Sequence, residues 1–301
     1  MPGLNPDAVC PCESGRPARA CHLSGGRPAA PEVVTGPKSP RTGLANGKCY
    51  ASALKDCSDD LTGEHFMSEV LLRELADGGK TVLVRGFPWQ TNDVKSVGIR
   101  ALESRMLCGR HNSALSGLDT QAGRLFRALR GIDSDLRAGA GGYEVKLFTG
   151  VDVERWMLKT LIGIASSGNA RERNGTRIAW SVPELWLKIL FGPFTFTGSW
   201  GLYVSARVGD PVPLDPRHIG FAPLMTDGAI SGLQAQVADL RLCLAMRDVG
   251  TRRAGAIDDD SMHRPNELLF CDARAGTRRS LCFAWPFGLV GGQIQLDWRA
   301  T

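Results

Sequence analysis

Apolar residues recur at helical spacing in four separate parts of the chain. In the first of these, Val70, Leu71 and Leu75 share one face, Ser68 is a candidate N-cap and Gly78 is a stop signal. The other three show the same periodicity, and one of them ends at a glycine. The pattern therefore predicts helices in "SEVLLRELADGG", "LSGLDTQAGRLFRALRG", "DVERWMLKTLIGIA" and "PELWLKILF".

Strand patterns dominate the end of the sequence. An isolated early strand is predicted in "KTVLVRGF". Past residue 195, strands are predicted in "WGLYVSARV", "LQAQVADLRLCLAM", "NELLFCDA", "RRSLCFAW" and "QIQLDW", with a hairpin turn in "ARAGTRR". Helices followed by clustered strands are typical of the α+β class.

Changes in composition predict four consecutive segments. Residues 1–25 are rich in cysteine and form a small N-terminal hook, and residues 26–47 contain four prolines and four glycines, as in a linker. Residues 48–131 form a second unit, which ends before the glycine-rich "RAGAGG". Residues 132–301 form a C-terminal α+β domain that ends in antiparallel strands, and its role has no motif to indicate it.

Charge and hydropathy limit the classes of partner. The 301 residues include 36 basic and 31 acidic side chains, a net charge of +5, which favours an acidic partner such as nucleic acid without specifying one. The sequence shows no signal-peptide pattern and no apolar run near the roughly 18 residues of a membrane helix. We therefore expect a cytoplasmic protein with reduced thiols and no membrane contact, in which clustered cysteines indicate metal binding.

The first cysteine cluster has the spacing C-x-C-x8-C-H. Its members are Cys10, Cys12, Cys21 and His22. Three thiolates and one imidazole complete a tetrahedral zinc shell without an open position, so the predicted role is structural. A peptide this short buries no core of its own, and metal binding would supply its folding energy.

This stretch resembles the SEC-C motif, a small zinc hook found in many bacterial proteins. The likeness covers about thirteen residues, "CPCESGRPARACH", and departs at Glu13 and Ala18. It implies a structural zinc ion and a surface through which a protein partner could bind.

A second candidate shell is spread over a longer stretch. Its members are Cys49, Cys57, Cys108 and His111. Cys108-x-x-His111 has the spacing of a zinc knuckle and leads into a predicted helix, whereas the Cys49–Cys57 gap is longer than usual. With the first cluster, the sequence predicts two structural zinc ions.

Residues 48–130 resemble the HNH endonuclease fold, a ββα-metal unit that a structural zinc often braces. The resemblance implies that Glu64 and Asn112 are ligands of a catalytic Mg²⁺ or Mn²⁺, and that His65 is the general base that activates water. The family's proline three residues after the histidine is Ser68 here, and the central asparagine before the knuckle is missing.

Two classes of function stay open. The chain is predicted either to be an HNH-type nuclease that acts on nucleic acid phosphodiesters, or to be a zinc-dependent adaptor that binds nucleic acid or a protein without cutting. Glu64 and His65 also fit a capping or core pair, and Asn112 also fits a helix N-cap. The positions of these three side chains discriminate between the two functions.

Overall fold

The structure is a computed structural model that contains five helices and thirteen strands among the residues it describes. It describes residues 5–12, 15–21, 32–85, 94–169, 176, 180–205, 219–238, 240–248, 257–286 and 292–297. The helices are α1 Ala18–Cys21, α2 Glu69–Leu75, α3 Gly109–Arg137, α4 Gly150–Ser166 and α5 Glu184–Phe191. The strands are β1 Leu61–His65, β2 Thr81–Val84, β3 Lys95–Gly98, β4 Glu103–Cys108, β5 Gly142–Thr149, β6 Gly201–Ser205, β7 Ile219–Thr226, β8 Ala229–Val237, β9 Leu240–Ala245, β10 Ser261–His263, β11 Glu267–Asp272, β12 Thr277–Ala284 and β13 Gln293–Asp297.

The chain is α+β, as its sequence predicts, and it forms two compact units. Unit 1 consists of Met1–Val33, Leu125–Glu154 and Thr197–Thr301, and unit 2 of Val34–Arg124 and Arg155–Phe196. Each unit is built from separated stretches of chain, so both cores depend on contacts between distant parts of the sequence. The four consecutive segments expected from composition stay a prediction.

Unit 2 contains a ββα arrangement. Strands β1 and β4 pair antiparallel, with Leu61 opposite Cys108 and His65 opposite Glu103, and a bulge interrupts the register between Thr62 and Glu64. Helix α3 begins directly after β4. The antiparallel pair β2–β3 forms a separate two-stranded sheet in the connection between β1 and β4.

Unit 1 contains two larger sheets. One has five antiparallel strands in the order β10-β6-β9-β8-β7. The other has the order β13-β11-β12-β5, and only its central pair, β11–β12, is antiparallel. Both outer strands, β13 and β5, pair parallel to their neighbours, and β5 forms one edge of this sheet.

All four predicted helices are confirmed, and most differences concern strands. Helix α3 continues past Gly131 to Arg137. The stretch "LQAQVADLRLCLAM", predicted as one strand, is divided between β8 and β9, with Ala238 at φ 49° between them. Six strands, β1, β3, β4, β5, β7 and β10, match no strand predicted from the sequence pattern, although the HNH resemblance implies a ββα unit where β1 and β4 lie. Within the described part of the chain, no helix is both long and apolar enough to cross a bilayer.

A buried ion pair anchors unit 1. The Glu154 side chain is fully buried, and its carboxylate accepts two hydrogen bonds from the Arg264 guanidinium, at 2.7 and 3.1 Å. The same carboxylate accepts the backbone N–H of Leu202 at 2.8 Å. The Arg264 guanidinium also lies over the Trp285 ring, 5.4 Å from its centroid. This one side-chain pair therefore connects α4, β6 and the loop before β11.

Removal of Arg264 tests this anchor. Arg264→Met leaves the Glu154 carboxylate buried without its counter-charge, so we expect the free energy of unfolding to fall by about 3–5 kcal/mol in urea titrations at pH 7. Arg241 is exposed on β9. Arg241→Met serves as the control and should change the value by less than about 0.5 kcal/mol. Equal effects of the two substitutions would contradict the anchor.

Candidate metal centres and the ββα unit

Three of the four predicted ligands of the first cluster come together in unit 1. The Sγ atoms of Cys10, Cys12 and Cys21 lie within 4.8 Å of one another, and the Cys12 and Cys21 atoms are 3.4 Å apart. A hydrogen bond from the Cys10 N–H to the Arg16 carbonyl closes the loop at 2.8 Å, and α1 carries Cys21. His22, the fourth predicted ligand, lies outside the described residues. The three thiols fit a metal ion.

The first cluster packs against the four-stranded sheet of unit 1. Cys10, Ala18 and Cys21 share a buried cluster with Leu147 of β5 and Cys282 of β12. The backbone N–H of Leu147 donates a hydrogen bond to the Pro11 carbonyl at 3.5 Å. Burial raises the pKa of the Cys10 thiol to about 12, so without a cation this sulfur stays protonated at neutral pH. A bound metal would supply the charge that its thiolate needs.

All four predicted ligands of the second cluster come together in unit 2. Cys49 and Cys57 flank a 3-10 turn at Ser52–Leu54, Cys108 ends β4, and His111 lies in the first turn of α3. The turn brings the ends of the long Cys49–Cys57 loop together. The spacing that is unusual in the sequence is therefore compatible with one shared site.

The geometry of this second cluster fits a tetrahedral ion. The four ligand atoms lie within 4.8 Å of one another, and all four residues are buried. His111 Nδ1 is 3.2 Å from Cys108 Sγ and 3.8 Å from Cys49 Sγ. Neighbouring ligand atoms around tetrahedral zinc, with Zn–S near 2.3 Å and Zn–N near 2.0 Å, lie about 3.5–3.8 Å apart. The observed spacing therefore needs little adjustment to bind zinc.

The surroundings of the second cluster favour metal-binding protonation states. Burial raises the pKa of Cys108, but hydrogen bonds from the backbone N–H groups of His111 and Ser58 outweigh it and lower that pKa overall. Burial lowers the pKa of His111, so its imidazole is neutral at pH 7 and offers a lone pair. Phe191 packs edge-on against this imidazole, with ring centroids 4.8 Å apart.

Glu64 does not face an open site. Its carboxylate lies 2.8 Å from the ammonium of Lys159 on α4, and the side chains of both residues are more than nine-tenths buried. The same ammonium lies 2.5 Å from Asp119 on α3. Burial alone would lower the pKa of Lys159, but the carboxylates of Asp119 and Glu64 outweigh burial and raise it. Lys159 therefore stays charged between two carboxylates.

Two further side chains extend this network. Ser68 occupies the N-cap position of α2, yet its hydroxyl caps no backbone group and donates to Asp119 at 2.5 Å instead. The Trp156 indole N–H donates to the same hydroxyl at 3.0 Å. The sequence analysis predicted Ser68 as an N-cap and a helix in "DVERWMLKTLIGIA", which contains Trp156, and it did not identify Asp119 or Lys159 as partners. The spacing of Trp156 and Lys159, three apart on one helix, is the signal that could have suggested a shared face.

His65 and Asn112 contact other groups. The His65 side chain is 11% exposed, and its ring nitrogens lie 3.5 Å from Glu103 and 4.0 Å from Glu69. Asn112 donates through its side-chain amide to the Thr62 hydroxyl at 3.0 Å and to the Gly63 carbonyl at 3.2 Å. The two metal-ligand clusters found among the described residues include neither Glu64 nor His65. Glu64, His65 and Asn112 therefore have separate partners, and their predicted catalytic roles stay predictions.

Comparisons with protein families, curated proteins and solved structures give no match for this chain. The resemblances to the SEC-C motif and to HNH endonucleases stay predictions, and the candidate centres rest on their own geometry.

Metal content provides a direct test of the two centres. We expect two zinc ions per chain by elemental mass spectrometry, and one each for Cys21→Ser and Cys108→Ser, because either substitution removes a ligand from one closed shell. Cys271 is half-buried and belongs to neither cluster. Cys271→Ser is thus the control and should keep both ions. Loss of zinc from this control, or one ion in the unsubstituted protein, would contradict the assignment.

The buried Lys159 network has a matched control on the surface. Lys159→Met leaves two carboxylates without their shared counter-charge and should lower the free energy of unfolding by about 3–5 kcal/mol. Lys188 pairs with Glu184 at 2.8 Å on α5, where both side chains are largely exposed. Lys188→Met should cost less than about 0.5 kcal/mol in the same urea titrations. A stable Lys159→Met protein would show that the network carries little energy.

Proposed function

We propose that this protein is a zinc-braced nucleic-acid-binding protein in which the ββα unit serves as a scaffold and does not cut. The two zinc ions would be structural. In this proposal the unit that resembles an HNH endonuclease keeps the ββα arrangement. The Lys159 ammonium takes the place of a catalytic cation beside Glu64.

The pairing of Glu64 with Lys159 is the observation that carries this proposal. In the catalytic alternative, Glu64 would be a ligand of a divalent cation. Here its carboxylate is already neutralised by an ammonium 2.8 Å away, and the Lys159 side chain is only 5% exposed. A divalent cation would have to displace a buried charge that Asp119 also holds. Displacing it would leave an ammonium without partners in a dry environment, which is costly.

Nucleic acid is favoured over a protein partner bound through the N-terminal hook. Cys10, Ala18 and Cys21 of the hook are buried against Leu147 and Cys282 of their own chain, so part of that surface is already occupied. The net charge of +5 suits a polyanion. The resemblance of the ββα unit to a family that acts on nucleic acid points the same way.

The order of elements in unit 2 favours nuclease activity as a second candidate. His65 ends the first strand of an antiparallel pair, and Asn112 lies in the first turn of the helix that follows the second strand. This is the order that the HNH resemblance implies. In that function, His65 would take a proton from the attacking water, with Glu103 at 3.5 Å available to orient its imidazole.

Binding and cleavage assays on one preparation separate the two candidates. We expect the zinc-loaded protein to bind nucleic acid in fluorescence anisotropy, with an affinity that falls as the salt concentration rises. The same protein should leave supercoiled plasmid intact when Mg²⁺ or Mn²⁺ is added. A His65→Ala variant with unchanged zinc content controls for contaminating nuclease.

Cutting that disappears in His65→Ala would establish the nuclease and overturn the scaffold proposal. Cutting that is equal in both proteins would come from a contaminant and would be removed by further purification. Absence of binding to DNA and RNA at low salt would refute the proposed binding function.

A further inference from the structure

The β2–β3 hairpin of unit 2 has one buried face and one exposed face. On the buried face, Val82 and Val84 of β2 and Val97 of β3 are at most 9% exposed. On the other face, Leu83 lies opposite Ser96 and Thr81 lies opposite Gly98, and all four residues are exposed. Leu83 is 74% exposed. The pair forms a two-stranded sheet of its own, so no third described strand covers either edge.

Basic residues outnumber acidic ones between Gly78 and Leu102, a segment flanked by exposed Asp77 and Glu103. Between Gly78 and Leu102 the sequence contains four basic residues and one acidic residue, Asp93, which lies outside the described part. Lys80, Arg85 and Arg100 are exposed, and none of them has an ion pair among the described residues. Lys95, also exposed, begins β3. This concentration of cations contrasts with the near balance of the whole chain, 36 basic against 31 acidic residues.

The dimensions of the hairpin suit a DNA groove. Two paired strands lie about 4.8 Å apart, and four residues of each extend for about 13 Å. The major groove of B-DNA is about 12 Å wide and 8.5 Å deep, and it admits a two-stranded β-ribbon. Lys and Arg side chains beside such a ribbon can contact the phosphates and fix its position, while side chains on its leading face contact base edges.

We propose that the β2–β3 hairpin is a duplex-DNA-binding element whose exposed face enters the major groove. Lys80, Arg85 and Arg100 contact phosphates on either side. The hydroxyls of Thr81 and Ser96 face base edges, and the apolar Leu83 side chain suits thymine methyl groups. This inference rests on the proposed nucleic-acid-binding function and adds the surface and the class of nucleic acid.

Two sets of substitutions with equal charge test the flanks. The triple variant Lys80→Ala/Arg85→Ala/Arg100→Ala removes three positive charges from the hairpin. The control Lys38→Ala/Lys48→Ala/Arg241→Ala removes three from exposed positions elsewhere. With a labelled 20-base-pair duplex, about two helical turns, we expect at least a tenfold loss of affinity for the hairpin variant near 0.1 M salt. The slope of log K against log salt should fall by about 2–3 for this variant, since each lost phosphate contact removes about 0.9.

A second pair of variants tests the exposed face itself. Leu83→Glu places a carboxylate on the face that meets the groove and should weaken duplex binding at least tenfold by repulsion from the phosphates. Val34 is 72% exposed in the same unit. Val34→Glu changes the net charge by the same amount. Its affinity for the duplex should stay within about twofold of that of the unsubstituted protein. Zinc content and circular dichroism, unchanged in both, confirm that each variant is folded.

The outcomes separate this inference from the proposed function. Duplex binding that both triple variants weaken equally would overturn the hairpin as the binding element and leave the function standing. Binding to single-stranded DNA or RNA but not to the duplex would overturn the groove while the function stands. No binding to any of the three probes would refute both.

Discussion

A buried ammonium group is the constraint on which unit 2 depends. Lys159 stays charged inside the protein only because Glu64 of β1 and Asp119 of α3 lie within 2.8 Å of it. Ser68 extends the network, because its hydroxyl donates to Asp119 and accepts the indole N–H of Trp156. Since an unpaired charge costs several kcal/mol in such an environment, small shifts among β1, α3 and α4 are penalised. The network therefore fixes the arrangement in which the cysteine ligands meet.

The second metal centre and this network support different parts of unit 2. The network joins regular elements, whereas Cys49 and Cys57 come from a stretch whose regular structure is one short 3-10 turn. A metal ion shared with Cys108 and His111 would add to the stability of this stretch, because the free energy of metal binding is gained only when the ligands are brought together by folding.

Local patterns in the sequence predicted most of the helices and the four residues that come together in the second cluster. Periodicity identified α2 and α4 because their apolar residues recur at helical spacing, and the ligand residues were grouped by residue type and by the Cys108-x-x-His111 spacing. The Lys159 network was not predicted because its members lie far apart in sequence; Ser68 and Trp156 are separated by 88 positions. Strand β5 was not predicted because its first residues, from Gly142, are exposed and show no clear alternation of buried and exposed positions. A strand whose pairing partner lies several elements away in the chain need not show a recognisable pattern in its own sequence.

The position of the N-terminal hook connects its candidate metal site to the free edge of a sheet. Strand β5 is the outer strand of its sheet, and the hook covers part of its free edge through Pro11 and the Leu147 amide. An uncovered edge strand is a template for pairing with other chains. Without a metal ion to hold it, the hook would leave this edge exposed, so metal binding at Cys10, Cys12 and Cys21 would also protect the molecule from self-association.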